Sequence, residues 1–271
     1  MNKKEVFIQS KRRASEIYEG LEIFFKKMID SNPRILNWSE YRKYRKIALL
    51  SFVSLDCLMK DNYVFFNPSY RKEIIANWKD FLKDLTPIWK KEKRENLLRS
   101  LDGKIRIYEG QLKSSFPIGG VGERFVDLSS SVDNIPCYLS VVFEYEPLPD
   151  WGEILLDFRK LLIVQALTKV GVFHLPHYQG TSRPWTQDEK TGETKQENWP
   201  LNSIQLMNKC LEEMKDNIQH NELEHSYSIY LVAFIHNRFQ EGKASLYGYL
   251  IWKRASNAVK MVPLEQKIWN Y

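Results

Sequence analysis

Cysteine is scarce in this 271-residue chain, and Cys57, Cys137 and Cys210 are an odd number at wide spacing, each inside an apolar pattern. That argues against a disulfide framework. No stretch approaches ~18 uninterrupted apolar residues, and the first twenty residues form a charged helical pattern rather than a signal-peptide run, so the expectation is a soluble, cytoplasmic protein with no membrane span. Neither a fixed-period repeat nor a low-complexity tract is present. Signature motifs are missing as well: there is no Cys-x-x-Cys and no His-Glu-x-x-His, and Pro117-Ile-Gly-Gly-Val-Gly122 lacks the Lys-Ser or Lys-Thr of a P-loop. What the chain has in quantity is apolar material. Its 43% hydrophobic residues exclude a disordered or collagen-like polymer and suffice for one large or two small cores.

Charge is unevenly placed. The whole chain carries a formal +6, but residues 1–100 hold 22 basic against 13 acidic side chains, net +9, while residues 101–271 hold 18 against 21, net −3. The first hundred residues also read as helices. Ala14, Ile17, Tyr18, Leu21, Phe24, Phe25 and Met28 follow the i, i+3, i+4, i+7 spacing of one helix face, up to a stop at Asn32-Pro33. A second helix is expected from Asn37 with Glu40 closing a capping box, its core stripe being Tyr41, Tyr44, Ala48, Phe52, Leu55 and Met59. Asn67-Pro68 opens a third, with Ile74, Ile75, Trp78, Phe81, Leu82 and Leu85 on one side. Thr86-Pro87 breaks it, and a short fourth segment ends at Asp102-Gly103.

After Gly103 the apolar period falls from 3.6 to 2. Ile105 with Ile107, Phe125 with Val126, and residues 137–146 read as extended. Asp150 and Glu153 cap a helix through Gln165, Val170–Leu175 is a short strand, and helix periodicity returns from Ile204 to Ile218. Two strands, 226–238 and 244–253, flank the turn at 240–243. Both are apolar on both faces, the pattern of strands inside a sheet rather than at its edge. Residues 178–200 contain no Leu, Ile, Val or Met and read as a long polar loop. The expected fold is α+β: a basic helical domain over 1–102, then a domain over 103–271 with a mainly antiparallel sheet and two or three packed helices.

Four groups of residues bear on function. Lys11, Arg12 and Arg13, the run Arg42, Lys43, Arg45 and Lys46, and the run Lys90, Lys91, Lys93 and Arg94 would build a positive surface if they lie off the apolar stripes, and such surfaces bind phosphate backbones by releasing condensed counterions. The same charges otherwise form a solvated face balanced by Glu40, Glu92 and Glu95. Arg183, Trp185 and Trp199 in the polar loop suit an interface or base stacking, or pin the loop to the core. The pairs His174/His177 and His220/His225 would have to converge to hold a metal, and their spacing does not ask for one. Finally, metal-dependent nucleases place an acid on one strand and an acid-x-Lys triplet on the next. Glu144 and Glu146 share a strand face without a following lysine, Asp102 and Glu109 are further candidates, and Glu241-Gly-Lys243 falls at a turn tip.

The sequence therefore points first to a non-catalytic nucleic-acid-binding subunit of a nucleoprotein complex, without cofactor or bound metal, with DNA or RNA as its partner and protein contacts through the 178–200 loop. A metal-dependent phosphoryl-transfer enzyme such as a nuclease is the second reading, and requires Glu144, Glu146, Glu109 and Asp102 to meet in one cleft. A scaffold for an acidic protein partner is the third.

Overall fold

The computed structural model describes residues 3–32, 36, 41–61, 63–67, 69–85, 126–131, 139–147, 151–175, 185–187, 194–196, 203–221, 228–254 and 256–271, and for 79–85, 151, 185–187, 194–196 and 239 the backbone alone. Helices dominate the N-terminal part: α1 (Lys3–Ser31), α2 (Arg42–Lys60) and α3 (Arg71–Leu85). Two more, α4 (Trp151–Ile163) and α5 (Ser203–His220), alternate with strands β1 (Tyr63–Phe66), β2 (Leu128–Ser131), β3 (Leu139–Glu146), β4 (Ala166–His174), β5 (Trp185–Gln187), β6 (Thr194–Gln196), β7 (Ile229–Arg238), β8 (Lys243–Lys253), β9 (Val259–Pro263) and β10 (Lys267–Asn270). The class is mixed α/β with a mostly antiparallel sheet.

The order across the main sheet is β1-β2-β3-β4-β7-β8-β10, with β9 also paired to β8. Its centre is parallel. β3 pairs with β4 and β4 with β7 in parallel register, so α4 and the segment containing α5 are the crossovers. The flanking pairs β1–β2, β2–β3, β7–β8, β8–β9 and β8–β10 are antiparallel. As the apolar pattern predicts, β7 and β8 lie inside the sheet.

Alternation along the strands divides the core into two layers. Ile229, Leu231, Ala233 and Ile235 of β7 join the layer built by α1, α2 and α3, whereas Tyr230, Val232 and Phe234 join the layer under α4 and α5. Helix α1 lies across β4, β7 and β8 with the whole expected stripe from Ala14 to Met28 buried. The expected domain boundary at 102–103 lies outside the described residues; helices from the first 85 residues and strands from 128 onward share one apolar layer.

Four features differ from the sequence expectation. Tyr63-Val-Phe-Phe66 is a strand inside the helical segment, because it pairs with β2 at the sheet edge. β2 itself is Leu-Ser-Ser-Ser, fully buried, with no apolar alternation to mark it. Trp185–Gln187 and Thr194–Gln196 pair as a small hairpin within the stretch read as loop. Most consequentially, α2 is rotated: Tyr44 is 56% exposed, whereas Arg45 is 3% exposed. The stripe expected from Tyr41 and Tyr44 fails at its start, because the first turn of α2 faces the acidic end of β2 and β3 rather than an apolar surface. Of that stripe, Ala48 and Leu55 are buried as expected.

Candidate functional site

The carboxyl ends of the parallel strands are where an open α/β sheet leaves room for a ligand, since the crossover chains depart there. In this chain that edge carries Glu144, Tyr145 and Glu146 at the end of β3 and His174 at the end of β4. Because β2 runs antiparallel to β3, with Leu128 opposite Phe143, the residue entering β2 stands beside Glu144. That residue is Asp127. Its backbone N–H donates to Glu144 Oε1 at 3.2 Å, and its own Oδ2 accepts from the Tyr145 N–H at 2.9 Å.

Four carboxylates and four cations gather at this edge. From α2, Lys46 Nζ stands 2.8 Å from Asp127 Oδ1, and Arg42 Nη2 stands 3.2 Å from Glu146 Oε1. From α4, Lys160 is paired with Asp157 and lies 3.9 Å from Glu144 Oε2. Arg45 faces Tyr145 and His174 from α2. Asp127, Glu144, Glu146 and Asp157 are all buried. Residues 42, 45 and 46 share one helix face at i, i+3, i+4 spacing, so the rotation of α2 aims three cations at one acidic edge.

Burial raises Glu144 well above the ordinary carboxylate range, and repulsion from Asp127 and Asp157 raises it further. Asp127 is also raised by burial, against the pull of Lys46. Burial disfavours the charge on Lys46 and on Lys160, but Asp127 for the first and Glu144 with Asp157 for the second outweigh it, and both are raised. Glu144 Oε2 is buried and has no hydrogen-bond partner among the described residues. An orphan carboxylate oxygen between two other carboxylates is the unresolved polar position of this edge.

Next to it, Tyr145 Oη and His174 Nε2 are 2.7 Å apart in full burial. Burial, with the nearby Arg45 cation, holds His174 well below its ordinary value and hence neutral. Burial likewise raises the Tyr145 phenol. This pair lies on the other face of β3 from Glu144, in the layer under α1, where Phe25 packs edge-on to the imidazole.

The sequence candidates are distributed as follows. Glu144 and Glu146 do meet, joined by Asp127 and Asp157, which sequence reasoning missed; Asp102 and Glu109 lie outside the described residues. Asp127 had no local signal, since only strand register brings it to Glu144, and Asp157 with Lys160 read as the polar face of an amphipathic helix. Of the basic candidates, Arg45 is buried, Lys46 is paired inward, and Arg13 is largely buried with Nη1 2.9 Å from Asp56. Arg42 is half-exposed at the mouth of the site. Lys11 is exposed over the Trp252 ring, Arg12 is exposed beside Glu16, and Lys43 is exposed beside Glu73. Lys90, Lys91, Lys93, Arg94, Arg183 and Trp199 lie outside the described residues, and Trp185 is described by its backbone in β5.

The histidine pairs do not come together. His174 ends β4 at the carboxyl edge, while His220 ends α5 at the opposite edge and hydrogen-bonds its own helix through Asp216 O; His177 and His225 lie outside the described residues. Glu241-Gly-Lys243 is a turn, with Gly242 at φ 63° and Glu241 paired to Arg238. Cys57 and Cys210 are free and buried, their thiols pushed up to about 12 by burial. Among the described residues no three His, Cys, Asp or Glu side chains are grouped as a ready metal cage, and no helix is long and apolar enough to cross a membrane. Comparison with known proteins finds no matching family model, no matching curated protein and no matching solved structure.

Proposed function

We propose that this protein is a metal-dependent phosphoryl-transfer enzyme acting on nucleic acid, a nuclease in class, with Asp127, Glu144 and Glu146 at its centre. One observation carries the reading: carboxylates from adjacent strands meet, buried, at the carboxyl edge of the parallel strands, beside lysines from two helices and with Glu144 Oε2 lacking a hydrogen-bond partner among the described residues. The all-oxygen donor set suits Mg²⁺ or Mn²⁺. Mg²⁺ is commonly held by only one or two protein carboxylates together with waters and substrate phosphate, so Asp127 and Glu144 suffice as its protein ligands. A cation there would polarise a phosphodiester and lower the pKa of a bound water. Glu146 stands two residues on, one full strand repeat along the same face, where it can accept a proton from an attacking water. Lys160 and Lys46 supply positive charge where negative charge builds up on phosphate oxygens. The exposed Lys11, Arg12 and Lys43 add to the attraction for a polyanion.

The test is cleavage of labelled single-stranded DNA, duplex DNA and RNA in Mg²⁺ or Mn²⁺ against EDTA. Metal-dependent cleavage is expected, falling about 10²–10³-fold in Glu144→Gln and Asp127→Asn. Salt-dependent binding with no cleavage under any metal would instead support the non-catalytic accessory role, which the exposed Lys11, Arg12 and Lys43 favour. Protein partners that survive nuclease treatment, with no nucleic-acid affinity at low salt, would support the scaffold.

A further inference from the structure

Resting on that reading, we infer that Lys46 and Arg42 of α2 form the phosphate clamp of the site and that the site's own carboxylates occupy it in the free protein. Each of these cations is held by an acidic residue of the same edge: Lys46 by Asp127 at 2.8 Å, Arg42 by Glu146 at 3.2 and 3.4 Å. Lys46 is nearly buried, with a side chain 13% exposed, and no other carboxylate is bonded to it among the described residues; its ring contact is with Tyr70. Arg42 is 42% exposed, so it borders solvent while Glu146 stays inside.

The arrangement makes one set of side chains serve two ligands. A divalent cation at Asp127 and Glu144 takes the negative charge that Lys46 now neutralises, and Lys46 is left to take a phosphate oxygen at the same edge. Phosphate arriving first would have to compete with Asp127 for Lys46, and metal arriving first would have to compete with Lys46 for Asp127. Together they satisfy Asp127, Glu144, Lys46 and Arg42, and Glu146 is released from Arg42. Metal and nucleic acid should therefore bind cooperatively, each raising the affinity for the other by the same factor. Glu144 Oε2, buried with Lys160 at 3.9 Å and no hydrogen-bond partner among the described residues, is the oxygen that gains most when the cation enters.

The experiment is calorimetric titration of Mn²⁺ alone, and fluorescence titration of a short DNA duplex and its RNA counterpart with Ca²⁺ or with EDTA. Wild-type protein is expected to bind nucleic acid about tenfold more tightly with the metal. Lys46→Gln should bind Mn²⁺ more tightly than wild type, because the internal competitor is gone, and should lose the metal dependence of nucleic-acid binding. Asp127→Asn, which keeps the carbonyl oxygen for the Tyr145 N–H, should do the reverse: Mn²⁺ binding is lost and metal-free nucleic-acid affinity rises. Asp157→Asn removes the same charge without touching Lys46 and provides the control. If Lys46→Gln binds Mn²⁺ no better than wild type, and Asp127→Asn gains no more nucleic-acid affinity than Asp157→Asn, the clamp is overturned while the metal site stands. Wild-type protein that binds no Mn²⁺ overturns both.

Discussion

Tyr18 is the residue on which the outer edge of the sheet turns. Its hydroxyl donates toward Leu246 O at 3.1 Å and Glu265 O at 2.9 Å, the first on β8 and the second on the stretch between β9 and β10. Its ring lies where a Cβ on Gly248 would sit, 2.4 Å from Cε2. Gly248→Ala must therefore displace an aromatic ring in a packed layer, and a loss of about 1–3 kcal/mol is expected. Tyr18→Phe removes the one hydroxyl that both carbonyls share in a packed layer and should cost about 1–3 kcal/mol. Urea unfolding of both variants measures these, and a change under half a kilocalorie, the ordinary range of a surface substitution, would contradict the geometry. His174 gives a second prediction at this scale. The folded protein keeps it neutral, whereas an unfolded histidine takes a proton below about pH 6.5. The stability it contributes is complete above that pH and drains away as pH falls toward the depressed native value. His174→Gln, which can still meet the Tyr145 hydroxyl, should flatten the urea-midpoint loss between pH 7 and pH 5 relative to wild type; parallel curves would show that the imidazole does not titrate as described.

At the scale of elements, α2 shows how a helix is turned by its neighbours. Arg42, Arg45 and Lys46 could be read in the sequence as a basic face, but their partners Glu146, Tyr145 and Asp127 lie a hundred residues or so downstream on two strands, and no local pattern announces them. Propensity fixes that residues 42–60 are helical, while the charges of the facing edge fix which side looks inward. Two substitutions separate the alternatives. Tyr44→Ala should change stability by less than about 0.5 kcal/mol because the ring is exposed, whereas Trp78→Ala on α3, fully buried with Nε1 donating to Ser54 Oγ, should cost about 3–5 kcal/mol. A large loss at Tyr44 would restore the orientation expected from its spacing. The elements legible in advance were the five helices with β3, β7 and β8, whose apolar residues keep one period over eight residues or more, and β4 in part, from Val170 onward. Those missed were short or polar. β2 is three serines and a leucine held by burial between β1 and β3, and β9 and β10 are half exposed and charged, so their sole mark is pairing with β8.

For the whole molecule, the parallel centre decides where chemistry can sit. β3, β4 and β7 all end at one edge, and the chain both leaves β4 and enters α5 there. The entry to β2 at Asp127 and the end of β3 at Glu146 thereby lie on the same side. Half of the acidic site was visible in the sequence as Glu144 and Glu146; the other half depended on strand order, which no spacing encodes. The charge imbalance between the N-terminal and C-terminal parts also acquires a physical account. Part of the surplus on α2 is matched by acids on β2 and β3 across the interface between the helical layer and the sheet, so salt should weaken nucleic-acid binding by less than the count of basic residues implies. A log–log plot of affinity against salt measures this, and a slope corresponding to all eleven basic candidates would overturn it.

The pairing of Tyr18 with Glu265 spans 247 residues of sequence, and during synthesis that separation is an interval of time. Helix α1 is made long before the carbonyls and strands that cover its buried face, which belong to β7, β8 and the stretch before β10. At ribosomal rates of roughly 5–20 residues per second the apolar face of α1 waits on the order of tens of seconds for its partner. The protein must carry the sheet-facing side of α1 uncovered over that interval, and its yield in the cell will depend on what shields that helix while β7 and β8 arrive.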